Sequence, residues 1–198
     1  MTKKILPLLP AHKQYAEPFF GGGSVFFAKP PVEVETINDL DSAVIGFYRV
    51  LADAEQFARF YRRVEVLPWS RELYNEYWAT WREQEDPVER AARWFVVARQ
   101  SFSGHHSFST SIETSTRGMA QTCSKWLSCL AGLPAVHARL ARVQIENVDF
   151  RDILRRYDGP DYLCYCDPPY VASTRKSGGY AHEMTDTDHA DMIALLLA

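Results

Sequence analysis

No stretch of this sequence is apolar for long enough to cross a membrane, because a transmembrane helix needs about 18 consecutive apolar residues. The first ten residues are interrupted by Pro7 and Pro10, and they are too short for a signal peptide. Both absences predict a cytoplasmic protein.

Cysteine is also scarce, with four residues in a chain of 198. Cys164 and Cys166 would share one face of a strand. None of the four cysteines, which also include Cys123 and Cys129, forms a Cys-x-x-Cys pair or has a histidine at a spacing suitable for a zinc site. We therefore expect free thiols, which are usual in a reducing compartment, and no bound metal.

The chain has no overall excess of positive charge, since its net charge is −3. This argues against binding of a polyanion by the whole surface. The charge is unevenly spread, however: Ala54 to Arg142 holds 12 Lys and Arg against 9 Asp and Glu, and the remainder holds 10 against 16. A nucleic-acid partner that contacts only the middle of the chain is compatible with this distribution.

The clearest chemical signal is the tetrapeptide Asp167-Pro168-Pro169-Tyr170. It follows Asp161–Cys166, an apolar segment typical of a strand buried on both faces, and open α/β sheets bind ligands at the carboxyl ends of their strands. The prolines fix the backbone and remove two N–H donors, which leaves the Asp167 carboxylate and the Pro168 carbonyl as paired acceptors. Tyr170 offers a flat face for a base. The pattern predicts a site for a planar, amine-bearing ring; a proline-rich turn is the alternative.

A glycine-rich corner lies near the start of the chain. Tyr15–Phe20 predicts a strand that runs into Gly21–Ser24, and Val25–Ala28 resumes an apolar run that can open a helix. Strand, glycine turn and helix in this order are typical of a ligand-binding corner. Glycine lets the backbone approach a ligand closely, and a helix N-terminus offers unpaired N–H groups.

The second predicted strand, Val32–Ile37, is followed by Asp39 and Asp41. An acidic residue at this place, about 20 residues after a glycine corner, is where adenosine-type cofactors have their ribose hydroxyls bound. Asp39 is the candidate for that contact, and Asp41 is the expected N-cap of a helix over Ser42–Leu51. The alternative is that both acids only cap this helix.

The third predicted strand, Arg142–Phe150, ends in Asp149 and Phe150. Asp149 can accept a hydrogen bond from an amine on a cofactor's adenine while Phe150 packs against that ring. Asp149 as the start of a helix through Arg156 is the competing interpretation.

Between the second and third strands the pattern becomes helical and aromatic. Ser70 is expected to cap one helix and Asp86 another, which has proline next and glutamate at its third position. Leu133–Leu140 predicts a short helix. Late in the chain, Gly178–Tyr180 predicts a mobile loop and Thr185–Leu197 a helix.

The stretch Arg99–Gln121 is polar, rich in serine and threonine, and predicts a flexible loop facing nucleic acid; an ordinary surface loop is the alternative. The adjacent His105 and His106 are expected to make polar contacts, because neighbouring side chains rarely point at one metal ion. The candidate contacts to nucleic acid are Arg99, Ser101, Ser103, His105, His106, Arg117 and Tyr170.

Taken in order, Glu17–Ser24, Asn38–Asp41, Asp149-Phe150 and Asp167–Tyr170 resemble the motifs of the Dam-like (D12 class) DNA adenine N6-methyltransferases. The resemblance covers most of the chain. It implies a Rossmann-like α/β methyltransferase fold whose catalytic domain is discontinuous, over residues 1–53 and 141–198. The helical insert, residues 54–140, would recognise the target.

The resemblance implies transfer of a methyl group from S-adenosylmethionine to N6 of adenine in double-stranded DNA, with the base flipped out of the helix. No metal is required. The implied catalytic residues are Asp167, Pro168, Pro169 and Tyr170. The implied cofactor-binding residues are Glu17, Pro18, Phe19, Phe20, Gly21, Gly22, Gly23, Ser24, Asp39, Asp149, Phe150 and Asp167.

The sequence departs from the family at both ends. Family members usually begin with a glycine-lysine segment and continue through further strands after the helix that starts near Thr185. We therefore expect a shortened member whose fourth strand lies close to a sheet edge. The alternative functions are a non-catalytic remnant that binds cofactor or DNA, and a methyltransferase acting on RNA or on protein glutamine.

Overall fold

The computed structural model describes residues 2–102, 105–171 and 182–197. The chain forms two compact units, Met1–Ile45 with Arg142–Ala198 (the sheet unit) and Gly46–Ala141 (the helical unit). The helices, in chain order, are α1 (Thr2–Ile5), α2 (Ser42–Ala52), α3 (Ala54–Val64), α4 (Arg71–Thr80), α5 (Pro87–Gln100), α6 (Gln121–Leu140), α7 (Phe150–Arg156) and α8 (Asp186–Leu197). The strands are β1 (Gln14–Glu17), β2 (Val34–Asn38), β3 (Ser101–Phe102), β4 (His105–Phe108), β5 (Gln144–Glu146) and β6 (Tyr162–Cys164). Short 3₁₀ helices follow α1 at Leu6–Leu8 and α4 at Trp81–Glu83.

The sheet unit is built on four parallel strands in the order β5-β2-β1-β6. Gln14 pairs with Val34 on one side and with Tyr162 on the other, and Thr36 pairs with Gln144. Helices connect β2 to β5 and β5 to β6, as is usual for parallel strands, whereas the segment between β1 and β2 consists of turns. The predicted α/β class with a central parallel sheet is confirmed.

Two strand predictions need correction. The segment Asp161–Cys166 was expected to be buried on both faces, but β6 is half-buried because it is an outer strand of the described sheet, with β1 on one side. Its position at the sheet edge agrees with the expectation for the fourth strand. The third strand is shorter than predicted: β5 ends at Glu146, and Phe150 is already the first residue of α7.

The apolar run Val25–Ala28 does not open a helix, contrary to prediction. It forms consecutive turns, in which the N–H of Phe27 bonds to the carbonyl of Gly23 and that of Lys29 bonds to Val25. Pro30 comes directly after Lys29 and disfavours helical backbone in the residue before it, so the run ends after one turn.

The helical unit has an aromatic core. The rings of Phe47 and Phe95 stack with centroids 5.6 Å apart, and Phe60 packs edge-on against both. Both predicted caps are confirmed, because the side chain of Ser70 accepts from the N–H of Leu73 and that of Asp86 from Val88.

The helix predicted over Leu133–Leu140 is much longer, since α6 already begins at Gln121. Gly132 and Pro134 are unfavourable inside a helix, but Trp126, Leu130 and Leu133 are buried at helical spacing. Their packing keeps the helix continuous through the proline.

The polar stretch Arg99–Gln121 is not a continuous flexible loop. Arg99 belongs to α5, and β3 and β4 form an antiparallel hairpin after it. Gln100 is fully buried and donates to the carbonyl of Pro68, which fixes the hairpin to the unit.

The glycines at 178 and 179 lie outside the described residues. The helix expected from Thr185 is confirmed as α8. The four cysteines are free thiols, as expected. No helix within the described ranges is long and apolar enough to span a membrane.

Candidate active site

The four motif segments meet at one edge of the sheet. β1, β2, β5 and β6 are parallel, so the residues that follow their carboxyl ends lie along the same edge. The order β5-β2-β1-β6 places β1 where the winding of the chain reverses direction. Such a switch point opens a crevice between the segments that follow the two neighbouring strands β1 and β6.

Asn38, the last residue of β2, fixes the geometry of this edge. Its side chain is buried; Nδ2 donates to the carbonyls of Pro18 at 2.9 Å and Val148 at 3.1 Å, and Oδ1 accepts from the N–H of Val148 at 2.9 Å. One amide therefore joins the segments that follow three strands. Asn147 adds a second link, because its Nδ2 donates to the carbonyl of Asp39 at 2.7 Å.

Asp39 binds the glycine turn instead of capping a helix. Its Oδ2 accepts from the N–H of Gly21 at 2.8 Å and its Oδ1 from Asp41 at 2.9 Å. Burial, partly offset by these hydrogen bonds, raises the pKa of Asp39. Asp41 accepts from the N–H of Ala43 at 2.8 Å, so its predicted role as N-cap of α2 is confirmed.

The glycine turn needs glycine at particular positions. Gly21 and Gly23 have φ of +47° and +60°, which are left-handed values that other residues rarely adopt. At Gly23 a Cβ atom would lie 2.5 Å from Cζ of Phe20, whereas a Cβ at Gly22 would meet nothing within 4 Å. The N–H of Gly23 bonds to the carbonyl of Phe20 at 2.8 Å and closes the turn.

Glu17 ends β1 beneath this turn and is a buried acid, 2 % exposed. The hydroxyl of Tyr15 donates to its Oε1 at 2.6 Å. Burial raises the pKa of Glu17 to about 7, with a smaller contribution from the nearby Asp167 carboxylate, while Tyr15 and the N–H of Phe26 act in the opposite direction. Glu17 therefore changes its protonation state near neutral pH.

Two cavities open at this edge, and both belong to the sheet unit. The first has a volume of about 260 Å³. Its lining comprises acidic and apolar side chains: Pro18, Phe19, Gly21, Asn38, Asp39, Leu40, Asp41, Val44, Val148, Asp149, Phe150, Asp167, Pro169, His182, Glu183, Met184 and Asp188. Six carboxylates and no Lys or Arg are among these described residues, so the cavity favours a cationic ligand over a phosphorylated one.

Aromatic rings form one wall of the first cavity. Phe19 and Phe150 lie with ring centroids 5.3 Å apart and inclined by 34°. Asp149 lies beside them as the N-cap of α7, accepting from the N–H of Arg151 at 2.9 Å. The competing interpretation of Asp149 as a helix start is therefore confirmed. Both of its oxygens also accept from Arg151 at 3.2 Å, and the residue lines the cavity, so that a ligand contact is compatible with the cap.

The second cavity has a volume of about 230 Å³ and lies under the glycine turn. Its lining comprises Glu17, Phe19, Phe20, Gly21, Gly22, Gly23, Ser24, Val25, Tyr165, Asp167, Pro168 and Tyr170. Phe19, Gly21 and Asp167 line both cavities. Tyr170 is 57 % exposed, so part of its side chain is accessible to a partner.

The structure brings together all of the residues predicted for catalysis and for cofactor binding, since each lines one or both cavities. Sequence reasoning missed Tyr165, which lies two residues before Asp167, and His182, Glu183 and Met184 before α8. The position of Tyr165 in the predicted strand segment, just before the tetrapeptide, could have indicated it. No pattern marked the other three.

The residues predicted to contact nucleic acid lie in the helical unit, apart from Tyr170. Arg99 is exposed at the end of α5, and Arg117 lies in a turn, where its guanidinium donates to the carbonyl of Ser124 at 3.4 Å. The Ser101 hydroxyl already donates to the carbonyl of Val97 at 2.7 Å. Ser103 lies outside the described residues, as do the side chains of His105 and His106, whose backbone begins β4.

Comparison with known proteins finds similarity to DNA methyltransferases, both for the family model and for individual relatives. The family model described as "D12 class N6 adenine-specific DNA methyltransferase" matches residues 1–197. The chain is 25 % identical to the type II methyltransferase M1.LlaDCHI of Lactococcus lactis subsp. cremoris, over 91 % of this chain and 67 % of that protein. It is 24 % identical to the DNA N-6-adenine-methyltransferase of Escherichia phage P1, over 99 % of this chain and 26 % of that protein. The chain thus spans about two thirds of one relative and about a quarter of the other.

The glycine turn provides a first testable prediction. Gly23→Ala is expected to lower the free energy of unfolding by about 1–3 kcal/mol, because it forces a strained φ and a clash with Phe20. Gly22→Ala is the matched control and should change it by less than about 0.5 kcal/mol. Urea denaturation of both variants measures the difference, and equal stability would contradict the described turn.

The buried carboxyl of Glu17 provides a second testable prediction, on the pH dependence of stability. Its pKa is raised on folding from 4.5 to about 7, so the unfolded chain releases this proton first as the pH rises. Its contribution to stability is therefore full below about pH 4.5 and falls by roughly 3 kcal/mol as the pH rises to about 7. Glu17→Gln should remove that loss. Urea denaturation between pH 5 and about pH 8 tests this, and parallel pH profiles for parent and variant would be evidence against it.

Proposed function

Because the chain belongs to the D12 class of N6 adenine-specific DNA methyltransferases, we propose that it transfers a methyl group from S-adenosylmethionine to N6 of an adenine flipped out of double-stranded DNA. The observation that carries the proposal is that Asp167 lines both cavities, the acidic one and the one bounded by Tyr170. A carboxylate at that junction can bind the acceptor base beside the bound cofactor.

The residues of the first cavity fit the cofactor. S-adenosylmethionine carries a positive sulfonium, an adenine ring and ribose hydroxyls, and it has no phosphate. The carboxylates of Asp39 and Asp149 suit hydroxyl and amine donors, and the paired rings of Phe19 and Phe150 suit a flat base. The absence of lysine and arginine among the described lining residues argues against a phosphorylated nucleotide in this cavity.

The glycine turn supplies the remaining contacts that we propose. Gly21 and Gly23 allow backbone to approach a ligand without Cβ atoms in the way, and they adjoin the second cavity with Ser24. We assign the methionine part of the cofactor to this side, near Glu17, and the adenosine part to the first cavity. When bound, the cofactor supplies an electrophilic methyl group attached to sulfur.

The tetrapeptide activates the acceptor. The exocyclic amine of adenine is a weak nucleophile, because its lone pair is delocalised into the ring. The carboxylate of Asp167 and the carbonyl of Pro168 accept hydrogen bonds from the two N–H groups of this amine and draw its lone pair out of conjugation. The prolines restrict the backbone, so this alignment requires little reorganisation, and the protein contributes orientation and electrostatics.

Tyr170 provides a stacking face for the flipped base. N6 of a paired adenine cannot reach a crevice of this kind, so the base must leave the duplex. The exposed ring of Tyr170 offsets part of the cost of unstacking. We assign recognition of the surrounding DNA to the helical unit, with Arg99 and Arg117 as phosphate contacts.

The activity is tested by transfer of labelled methyl from S-adenosylmethionine to unmethylated DNA of mixed sequence. Asp167→Ala is expected to lower transfer by at least about 1,000-fold, because an acceptor aimed at the reacting amine is lost. Binding of S-adenosylmethionine should remain nearly unchanged. Asp161→Ala is a matched control: this exposed acid precedes β6 at the other end of the strand, where it pairs with Lys13 at 3.5 Å.

The result separates the alternatives. Label on N6 of adenine from the parent alone supports the proposal. Saturable cofactor binding without label on DNA would instead indicate a non-catalytic remnant or another acceptor, such as RNA or protein glutamine. Loss of cofactor binding in Asp167→Ala would reassign that residue from the acceptor to the cofactor.

Tyr170→Ala is expected to weaken productive DNA binding by about 1–3 kcal/mol, since base stacking on an aromatic ring contributes about that much. Tyr170→Phe keeps the ring and should retain most of the activity. The measurement is kcat/KM for DNA at saturating S-adenosylmethionine. An equal loss in both variants would show that the hydroxyl, and not the stacking face, is what matters.

A further inference from the structure

Arg151 lies behind the first cavity at the centre of an ion cluster. Its Nη1 is 3.2 Å from both carboxylate oxygens of Asp149, and its Nη2 is 2.5 Å from Oδ1 of Asp188 and 2.8 Å from Oδ2 of Asp191. Its Nε also donates to Asp191 at 3.0 Å. One guanidinium therefore connects three carboxylates on two helices.

Two of these carboxylates belong to the cavity wall. Asp149 and Asp188 line the first cavity, whereas Arg151 and Asp191 do not. The guanidinium carbon of Arg151 also lies 4.5 Å from the centroid of the Phe150 ring, which is another part of the wall. Arg151 thus contacts three cavity residues without itself facing the ligand space.

The same cluster fixes the first turn of α8. The N–H of Thr185 donates to Asp188 at 2.8 Å, and the N–H of Asp188 donates back to the Thr185 hydroxyl at 3.1 Å, which is a capping box. Apolar packing of Phe150 and Leu154 against Met192 holds α8 on α7. Arg151 adds the polar link that sets where the capped end of α8 lies beside the cavity.

The charge balance of the wall depends on this link. Asp149 and Asp188 are joined in the cavity by four further carboxylates, and like charges at close range repel one another. The ion pairs with Arg151 lower the pKa of Asp188, and those with Asp188 and Asp191 raise the pKa of Arg151. Without the guanidinium, Asp149 and Asp188 would keep only the hydrogen bonds of their helix caps.

We propose that Arg151 is a positioning residue for the cofactor. It orients Asp149 and Phe150 at the start of α7 and the capped end of α8, so that the adenosine side of the cavity is already formed before binding. This inference rests on the proposed function, because it assumes a nucleoside ligand in the first cavity. A preformed site binds more tightly, since less ordering occurs on binding.

The experiment compares binding of S-adenosylhomocysteine by calorimetry with the kinetics of methyl transfer. Arg151→Gln should raise Kd for S-adenosylhomocysteine and KM for S-adenosylmethionine by about tenfold, while kcat at saturating cofactor and KM for DNA change less than about twofold. Arg151→Lys should recover only part of the affinity, because a single ammonium cannot serve three carboxylates in the manner of a planar guanidinium. Arg155→Gln, on the exposed side of the same helix, is the matched control and should bind as the parent does.

Unchanged binding in Arg151→Gln would overturn the inference, and so would a lower kcat with unchanged Kd, which is the signature of a purely structural role. If that variant does not fold, Asp191→Asn replaces it, because Asp191 holds Arg151 without lining the cavity. Binding of S-adenosylhomocysteine that is about threefold weaker in Asp191→Asn supports the inference, and unchanged binding overturns it. If the parent itself binds no S-adenosylhomocysteine, the result contradicts the proposed function and not only the role of Arg151.

Discussion

The site depends on one buried amide, the side chain of Asn38. Parallel strands leave their carboxyl ends side by side, but each following segment could leave the sheet in its own direction. Asn38 satisfies the backbone of Pro18 on one side and of Val148 on the other, so the glycine turn and the start of α7 have fixed positions relative to β2. Because such a buried amide needs all of its partners, the three segments hold their arrangement together or lose it together.

The two cavities are complementary in chemistry. The first combines carboxylates with aromatic faces, and the second combines glycine backbone with Asp167 and an exposed tyrosine. Because Phe19, Gly21 and Asp167 line both cavities, a structural change in one cavity also alters the wall of the other. Asp39 shows this directly, because its carboxylate lies in the first cavity while it fixes Gly21 of the turn.

The sequence indicated most of what lies at the sheet edge, since short motifs after strands report backbone requirements that glycine, proline and aspartate meet locally. It failed where packing decides. Burial of Trp126 and Leu130 continues α6 through a proline. A local signal was missed as well, because Pro30 ends the turn that was expected to become a helix. The roles of Asn38 and Arg151 were also missed, because they depend on partners such as Val148 and Asp188, far away in the chain.

The strand order also determines when the site can form. Gln14 pairs with Tyr162, and Thr36 with Gln144, so the sheet needs contacts across nearly the whole chain, whereas the contacts within the helical unit span shorter separations in sequence. Loop closure over such distances is slow, and local helical contacts form faster. During synthesis the helical unit can therefore fold while β5 and β6 are still inside the ribosome. We expect the crevice between β1 and β6 to be the last part of the described fold to assemble.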